Sequence, residues 1–497
     1  MRFIICFIIL ISLGKSQEIN FYNELKFGPH AIAFEQFDVI DYSRTYRNKT
    51  RSFRLSAWYP VKNSGQSVQM RDYIRAERTA IDFDTPVTDQ SMIEYLRSEY
   101  GDRSDEQIKL FLDFKVKAAS NGTILMKNLP LIIYSVAYNG GGMENFAVCE
   151  FLASHGFVVV AVPSFSFDRP LMDSELIGLQ TKVNDLQFAL AESIKRFSTN
   201  DKSVGTIGFS NGGWADVVFG MLDSRVNTIV SIEGSIAFRD DHYLYDYRKL
   251  FEPFSNFSFL NGSLLEIRRT AYYGTDAISP NEYTLTGHVP YTDSYYLGLK
   301  NMQHGSFMSI TLIYDQITGI SSDDATIRTK QLTVMCNHIR QFLEAKLKND
   351  PDAENQLKAP VKSQSDDFRL SHYPAKKMIA IGEDYYNLLR SGKIDDAKQI
   401  LLQSLADDSL AIPFSYRSIF NVAFQDFYLN QRYQDAWRLV NEIILYVYPN
   451  DRRSLTLAGD VAVQMNRIED AKKYYRQALT IEPDHQRTRS SLDKLLR

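Results

Sequence analysis

The chain has 497 residues, of which 44% are hydrophobic and 23% charged, so it can bury one large core and a smaller second one. Its formal net charge is only −4, and no block of lysine and arginine stands out. This charge balance argues against a nucleic-acid partner.

Residues 1–16 predict a secretory signal peptide, because Arg2 precedes the apolar run 3–13 and small residues follow it. The run is short for a bilayer span, and no later segment approaches 18 apolar residues. We therefore expect no membrane span and a secreted or periplasmic protein. Cys149 and Cys336 remain after cleavage, and their partly apolar, helical surroundings predict two buried free thiols.

The first part of the mature chain predicts an antiparallel opening to a sheet. Residues 24–60 alternate polar and apolar side chains and end in Trp58-Tyr59-Pro60. Residues 66–128 are charge-rich, with helical spacing and no strand signal, so we predict an inserted helical region. A lid over the functional site and a long decorated connection are both open interpretations of this insertion.

From Leu129 onward, predicted strands and helices alternate. Apolar, strand-like runs occur at 129–135, 156–162, 203–207 and 227–233, with helical segments between them. This alternation predicts a parallel, doubly wound sheet of the α/β class. Further strands within 264–273 and 294–301 and an amphipathic helix over 326–347 complete a domain predicted to span 17–350.

The last third of the chain has a different organisation. Residues 351–373 are polar, contain proline and lack periodicity, which predicts a linker. Residues 374–497 are helical in pattern, and similar turns recur around Ala397, Ala436 and Ala471. This spacing predicts an all-α domain of tetratricopeptide-like repeats, with the last copy the best preserved. Such arrays present a surface to a protein or peptide partner, although a purely stabilising or self-associating domain is the alternative.

The segment 208–213, Gly-Phe-Ser-Asn-Gly-Gly, lies between a predicted strand and a helix that begins near Trp214. Gly-x-Ser-x-Gly in this context is typical of a nucleophile elbow, where glycines permit a strained turn that presents the serine hydroxyl above the sheet. The motif predicts that Ser210 is a catalytic nucleophile. A plain turn with an idle serine is the alternative.

A serine nucleophile needs a base within hydrogen-bond reach, and the base is itself held by an acid. In hydrolases with a strand-to-helix elbow the chain order is serine, acid, histidine. Of the histidines that follow Ser210, His304 is best placed, because it lies in a loop just after the last strand-like run. Two carboxylates compete for the acid: Glu233 ends the strand after the elbow, and Asp276 follows the next strand.

An oxyanion hole needs two backbone N–H groups directed at the developing negative charge. The residue after the nucleophile supplies one, here Asn211, and the loop after an earlier strand supplies the other, here Tyr138 beside glycines 140–142. The sequence contains no His-Glu-x-x-His motif or cysteine cluster, so we predict neither a metal nor another cofactor.

Several of these segments together resemble the α/β-hydrolases grouped with platelet-activating-factor acetylhydrolase and dienelactone hydrolase. The resemblance covers roughly residues 27–345 and is carried by Trp58-Tyr59-Pro60, Leu152-Ala-Ser-His-Gly156, the elbow and the His304 loop. It implies a triad on Ser210, Glu233 and His304. Because dienelactone hydrolases have cysteine at the elbow, the serine favours an esterase acting on a small-molecule ester. A catalytically silent hydrolase fold whose repeats bind a protein is the rival interpretation.

Overall fold

The computed structural model describes residues 20–63, 65–173, 176–223, 225–234, 260, 262–269, 285–289, 292–319, 323–358, 367–375, 382–407, 412–414 and 416–496. Within these residues, eleven strands belong to one sheet: β1 (Ala31–Tyr46), β2 (Lys49–Val61), β3 (Gln66–Gln69), β4 (Lys115–Ser120), β5 (Leu131–Ser135), β6 (Val158–Val162), β7 (Val204–Phe209), β8 (Val226–Ile232), β9 (Ser263–Arg269), β10 (Asp293–Leu299) and β11 (Phe368–Tyr373). The predicted signal peptide and Asp276, the competing candidate for the acid, lie outside the described residues.

The described α-helices are α1 (Asn20–Glu24), α2 (Met70–Arg78), α3 (Asp89–Tyr100), α4 (Asp105–Leu112), α5 (Phe146–Ser154), α6 (Leu176–Phe197), α7 (Asn211–Leu222), α8 (Ser309–Ile317), α9 (Asp323–Leu347), α10 (Pro351–Lys358), α11 (Gly382–Arg390), α12 (Ile394–Asp407), α13 (Tyr416–Asn421), α14 (Tyr433–Leu439), α15 (Leu445–Val447), α16 (Arg452–Gln464), α17 (Ile468–Ile481) and α18 (Gln486–Leu496). Short 3₁₀ turns occur at Leu285–His288 and His304–Phe307. Segments of π-helix occur at Val422–Tyr428 and Val440–Ile444. None of the described helices is long and apolar enough to cross a bilayer.

The strand order of the sheet is β11-β10-β9-β8-β7-β5-β6-β2-β1-β4-β3. The six strands from β10 to β6 run parallel, and β2 and β11 flank them in antiparallel pairing. Crossover helices cover both faces of the parallel strands, as a parallel sheet requires. The predicted α/β doubly wound class is therefore confirmed, together with the antiparallel opening formed by β1 and β2.

Strand β5 shows how the sequence builds the two layers around this sheet. All five of its residues are buried, and successive side chains point to opposite faces. Leu131 and Ile133 join a buried cluster with α6 and α7, whereas Ile132 and Tyr134 join the cluster with α5 and α9. The domain thus has three layers, with the sheet between two layers of helices. Both Cys149 and Cys336 are buried free thiols, as predicted.

The inserted region 66–128 differs from the prediction of helices alone. It contains α2, α3 and α4, but β3 and β4 border them and pair with each other in antiparallel fashion. Strand β4 also pairs in parallel with β1 and so extends the sheet. Both strands are short and half exposed, so their sequences carry little strand signal. They form because β4 pairs with the edge of β1 and β3 pairs with β4.

The predicted linker 351–373 is wrong at both of its ends. Residues 351–358 form α10, and residues 368–373 form β11, which pairs with β10 and closes that edge of the sheet. His372 Nε2 donates a hydrogen bond to the Asp293 carboxylate at 2.7 Å, and its ring stacks on Tyr295 with ring centres 4.4 Å apart. The sheet domain therefore continues beyond residue 350. Strand β11 has a polar sequence with little strand signal, and its pairing with β10, which is distant along the chain, stabilises it.

The C-terminal region is helical, as predicted. The three alanines at the recurring turns, Ala397, Ala436 and Ala471, are completely buried between helices. Gly459 is needed for close packing, since a Cβ atom there would lie 2.4 Å from the Tyr475 ring. These helices also pack on the sheet domain, because one buried cluster includes residues of α6, α7, α13 and α14.

Candidate active site

Ser210 lies in the sharp turn between β7 and α7, with φ = 55° and ψ = −120°. The turn is tight enough to require glycine on both sides. A Cβ atom at Gly208 would lie 2.3 Å from the Gly212 carbonyl carbon, and one at Gly212 would lie 1.9 Å from the Ser135 oxygen. The backbone N–H of Ser210 donates to the Ile232 carbonyl at 2.9 Å, which attaches the turn to β8. The chain thus forms the strand-turn-helix geometry that the motif predicts.

The structure brings together the three side chains that the sequence selects. His304 Nε2 lies 3.0 Å from Ser210 Oγ, and His304 Nδ1 lies 3.4 Å from Glu233 Oε2. The second distance is long for a hydrogen bond, but such contacts commonly shorten when substrate binds. The imidazole therefore lies between a hydroxyl and a carboxylate, which is the arrangement needed for a base held by an acid.

Glu233 is completely buried and has the uncommon left-handed φ of 46° directly after β8. Its Oε1 accepts a hydrogen bond from the Arg269 backbone N–H at 2.8 Å, and the Arg268 and Arg269 side chains lie at 4.0 and 3.7 Å. Burial raises the pKa of the Glu233 carboxyl, but the His304 hydrogen bond and the two arginines outweigh it and lower that pKa overall. Glu233 is therefore ionised at neutral pH.

His304 begins a 3₁₀ turn that is held from two directions. Its ring stacks on Phe209, the residue before the nucleophile, with centres 4.9 Å apart. The helix after the turn, α8, is tied to the start of α5 because Ser309 N–H donates to Asn145 Oδ1 at 2.9 Å. The His304 side chain is 40% exposed, so the base is positioned yet accessible to a substrate.

The loop after β5 contains the predicted second oxyanion donor. The Ala137 N–H is already used, because it donates to Glu144 Oε1 at 3.0 Å. No described residue accepts a hydrogen bond from the Tyr138 N–H, whereas the Tyr138 hydroxyl donates to the Met172 carbonyl at 2.8 Å. Asn211 is the first residue of α7, where the backbone N–H has no acceptor within the helix. Neither of the two N–H groups proposed from the sequence therefore has an acceptor among the residues that the structure describes.

Lys182 is a residue of this site that the sequence analysis missed. Its Nζ donates to the Val136 carbonyl and, at 3.2 Å, to Asn211 Oδ1, so it bridges the two segments that carry the candidate oxyanion donors. Burial lowers the Lys182 pKa to about 8, although Glu144 and Asp216 raise it in part. A signal for it existed, because this lysine interrupts the apolar face of α6 formed by residues such as Leu179 and Leu186.

Two buried carboxyls accompany this lysine. Burial raises the Glu144 pKa to about 8, against the opposing effects of the Tyr134 hydroxyl, the Ala137 N–H and Lys182. Burial also raises the Asp216 pKa well above its usual range, which Lys182 only partly offsets. Glu144 is thus mainly protonated at neutral pH and still accepts hydrogen bonds from Tyr134 and Ala137.

The insertion contacts both loops beside the site. Glu77 of α2 accepts a hydrogen bond from the Met143 N–H at 3.1 Å and lies against Gly141, where any Cβ atom would overlap its carboxylate. Gln107 of α4 donates to the Thr318 carbonyl at the end of α8 at 2.6 Å. The insertion therefore supports the glycine loop and the helix after His304.

The parallel sheet, the helices on both faces and the serine elbow between β7 and α7 define an α/β-hydrolase fold. A helical region with a tetratricopeptide repeat follows it, since a tetratricopeptide repeat model matches residues 453–485. The matched copy is the one that the sequence predicts to be best preserved.

A search of curated proteins found no match. Among solved structures, the chain is similar to a ferulic acid esterase from Streptomyces cinnamoneus, with 16% sequence identity and a TM-score of 0.48. The similarity covers 69% of this chain and 96% of that esterase.

Proposed function

We propose that this protein is a secreted serine hydrolase that cleaves a small-molecule ester through an acyl-enzyme. The observation that carries the proposal is the 3.0 Å approach of His304 Nε2 to Ser210 Oγ on a strained elbow. The buried Glu233 carboxylate on the other side of the imidazole supports it.

In the proposed reaction, Ser210 Oγ attacks the ester carbonyl while His304 Nε2 accepts the hydroxyl proton. The N–H groups of Asn211 and Tyr138 stabilise the oxyanion of the tetrahedral intermediate. His304 then gives its proton to the departing alcohol, and a water molecule activated by the same imidazole hydrolyses the acyl-enzyme. Glu233 holds the productive tautomer and stabilises the imidazolium. None of these steps requires a cofactor.

The ester class rests on the resemblance of the elbow, the Trp58-Tyr59-Pro60 strand and the His304 loop to the platelet-activating-factor acetylhydrolase group. Secretion rests on the predicted signal peptide at residues 1–16. A panel of p-nitrophenyl esters of graded acyl length tests the substrate class, and a panel of peptide amides tests the alternative that the same triad acts as a peptidase. Turnover of amides but no ester would contradict the proposal.

A fluorophosphonate probe tests the nucleophile directly. We expect the wild-type chain and Ser391→Ala to take one label each, and Ser210→Ala to take none. Ser391 is a suitable control because it lies in an exposed turn, where its hydroxyl donates only to the Leu388 carbonyl. An unlabelled wild-type chain that is correctly folded would remove the enzymatic proposal.

A second candidate function is protein binding by the C-terminal repeats. The match of residues 453–485 to a tetratricopeptide repeat favours it, because such arrays commonly present a concave surface to a protein or peptide. If Ser210 takes no fluorophosphonate label, we would assign protein binding as the function and regard the hydrolase domain as a scaffold for the repeats. Chemical cross-linking of the full chain, compared with a chain ending at residue 375, would detect a partner that depends on the repeats.

A further inference from the structure

A cleft of about 520 Å³ lies between the sheet domain and the repeats. Its walls come from β1, from α6 and the end of α7, and from α13 and α16 of the repeats. Ser210 precedes the first residue of α7, whereas Leu222 and Asp223 at its other end line the cleft. The 12 residues of α7 span roughly 18 Å, so this cleft is separate from the serine site. Its volume is in the range of small-molecule sites.

The lining of the cleft is cationic. Its five arginines outnumber its three carboxylates: Arg44, Arg225, Arg417, Arg452 and Arg453 against Asp41, Asp223 and Glu482. Each carboxylate already contacts an arginine, at distances of 2.5 to 2.8 Å. Burial lowers the pKa of His485, the remaining titratable group with a basic side chain, to about 4, so it is neutral at pH 7. The excess positive charge therefore rests on arginines.

Arg44 lines the cleft and has a buried, unused donor. Its guanidinium pairs with Asp41 at 2.7 Å and with Asp185 at 2.8 Å, and Asp185 is shared with Arg51. Nη1 of Arg44 has no hydrogen-bond partner among the described residues, although Arg44 is only 3% exposed. Buried donors in native proteins are nearly always satisfied, so a missing partner indicates a ligand or ordered water.

Two side-chain amides on one face of α6 also present unused donors. Asn184 Oδ1 accepts a hydrogen bond from Gln180, and Gln187 Oε1 accepts one from Arg453 of the repeats. These contacts fix both amide oxygens, which directs Asn184 Nδ2 and Gln187 Nε2 away from them. Both nitrogens are buried without a partner among the described residues, and both residues line the cleft.

We propose that this cleft binds a small organic oxyanion, a carboxylate or a phosphate monoester attached to an apolar body. The oxyanion would accept hydrogen bonds from Arg44, Asn184 and Gln187. The apolar body would contact the wall formed by Phe188, Leu222 and Phe420. This site does not depend on the chemistry proposed for Ser210.

Isothermal titration calorimetry on the full chain tests the site with phenyl phosphate, benzoate and benzyl alcohol. We expect saturable binding of at least one of the two anions and none of the neutral alcohol. The stronger of the two anions identifies the headgroup class. Absence of saturable binding by both anions, or equal binding of benzyl alcohol, would overturn the proposal.

Gln187→Glu is the sharpest variant, because it keeps an oxygen for Arg453 and replaces the free N–H donor with a negative oxygen. We expect it to weaken the binding of the anion by more than about tenfold, since it places a negative carboxylate next to the negative ligand. Gln356→Glu is the matched control. That exposed glutamine also accepts through its oxygen, from Gln341, but lies outside the cleft.

Circular dichroism establishes that each variant is folded. If Gln187→Glu does not fold, Asn184→Asp makes the same change of donor to negative acceptor, and we expect the same loss of affinity. Unchanged anion affinity in a folded cleft variant, or an equal loss in Gln356→Glu, would overturn the assignment.

Discussion

Glu233→Gln is the change that best tests whether Glu233 is the acid that holds His304. It is informative because both oxygens of this carboxylate have partners. In the wild-type chain, Oε1 accepts from the Arg269 N–H and Oε2 faces His304 Nδ1. A glutamine amide has only one acceptor oxygen. If its oxygen stays at Arg269, its NH₂ faces His304 and favours the tautomer whose Nε2 carries the proton. That tautomer cannot accept the proton of Ser210.

The other amide orientation is unfavourable as well. With the oxygen at His304, the NH₂ would lie against the Arg269 N–H, a donor facing a donor in a completely buried site. In either orientation the variant loses the negative charge that stabilises the imidazolium. At 3.4 Å this attraction is about 4 to 5 kcal/mol for an effective dielectric constant of 20, before solvent screening at the 40% exposed His304.

We therefore expect Glu233→Gln to lower kcat by about two to four decades, which is roughly 3 to 5 kcal/mol, with KM little changed. Steady-state hydrolysis of the best p-nitrophenyl ester measures this effect in a variant shown to be folded. Asp276→Asn is the comparison, because Asp276 is the competing acid, and we expect it to cost less than about tenfold. The opposite ranking of the two folded variants would move the acid role to Asp276 and refute the reasoning.

Three further predictions concern groups around the site. Lys182→Met should lower kcat by about ten- to a hundredfold and weaken the binding of a boronic acid inhibitor, with little change in KM. The reason is that the Val136 carbonyl and the Asn211 side chain lose their shared donor. A change in KM alone would contradict this positioning role. Glu144→Gln keeps the acceptor oxygen but cannot ionise, whereas the wild-type carboxyl has a folded-state pKa raised to about 8. Thermal unfolding should therefore show the wild type losing stability relative to this variant as pH rises from about 4.5 to about 8, and a pH-independent difference would contradict it. A chain ending at residue 364 lacks β11 and should melt at a lower temperature than one ending at residue 375, because β10 loses its antiparallel partner. Equal melting temperatures would show that the edge strand is dispensable.

Much of the fold could be predicted because its signals are local. The apolar runs of β5 to β8 and the helical segments between them establish the α/β class, and the buried alanines of the repeats follow from their spacing. The edge strands β3, β4 and β11 were not predictable in this way. Their residues are polar and half exposed, so pairing decides their conformation: β4 pairs with β1, β3 pairs with β4, and β11 pairs with β10.

The candidate site, like the fold, could be predicted only in part from the sequence. The glycines around Ser210, the position of His304 after the last parallel strand and the glutamate at the end of β8 are determined by the sequence alone, because strand order brings such loops to one edge of a sheet. Only the tertiary structure decided that His304 lies 3.0 Å from Ser210. It also placed Lys182 between Val136 and Asn211, because a buried lysine acquires its role from carbonyl and amide groups that are distant along the chain.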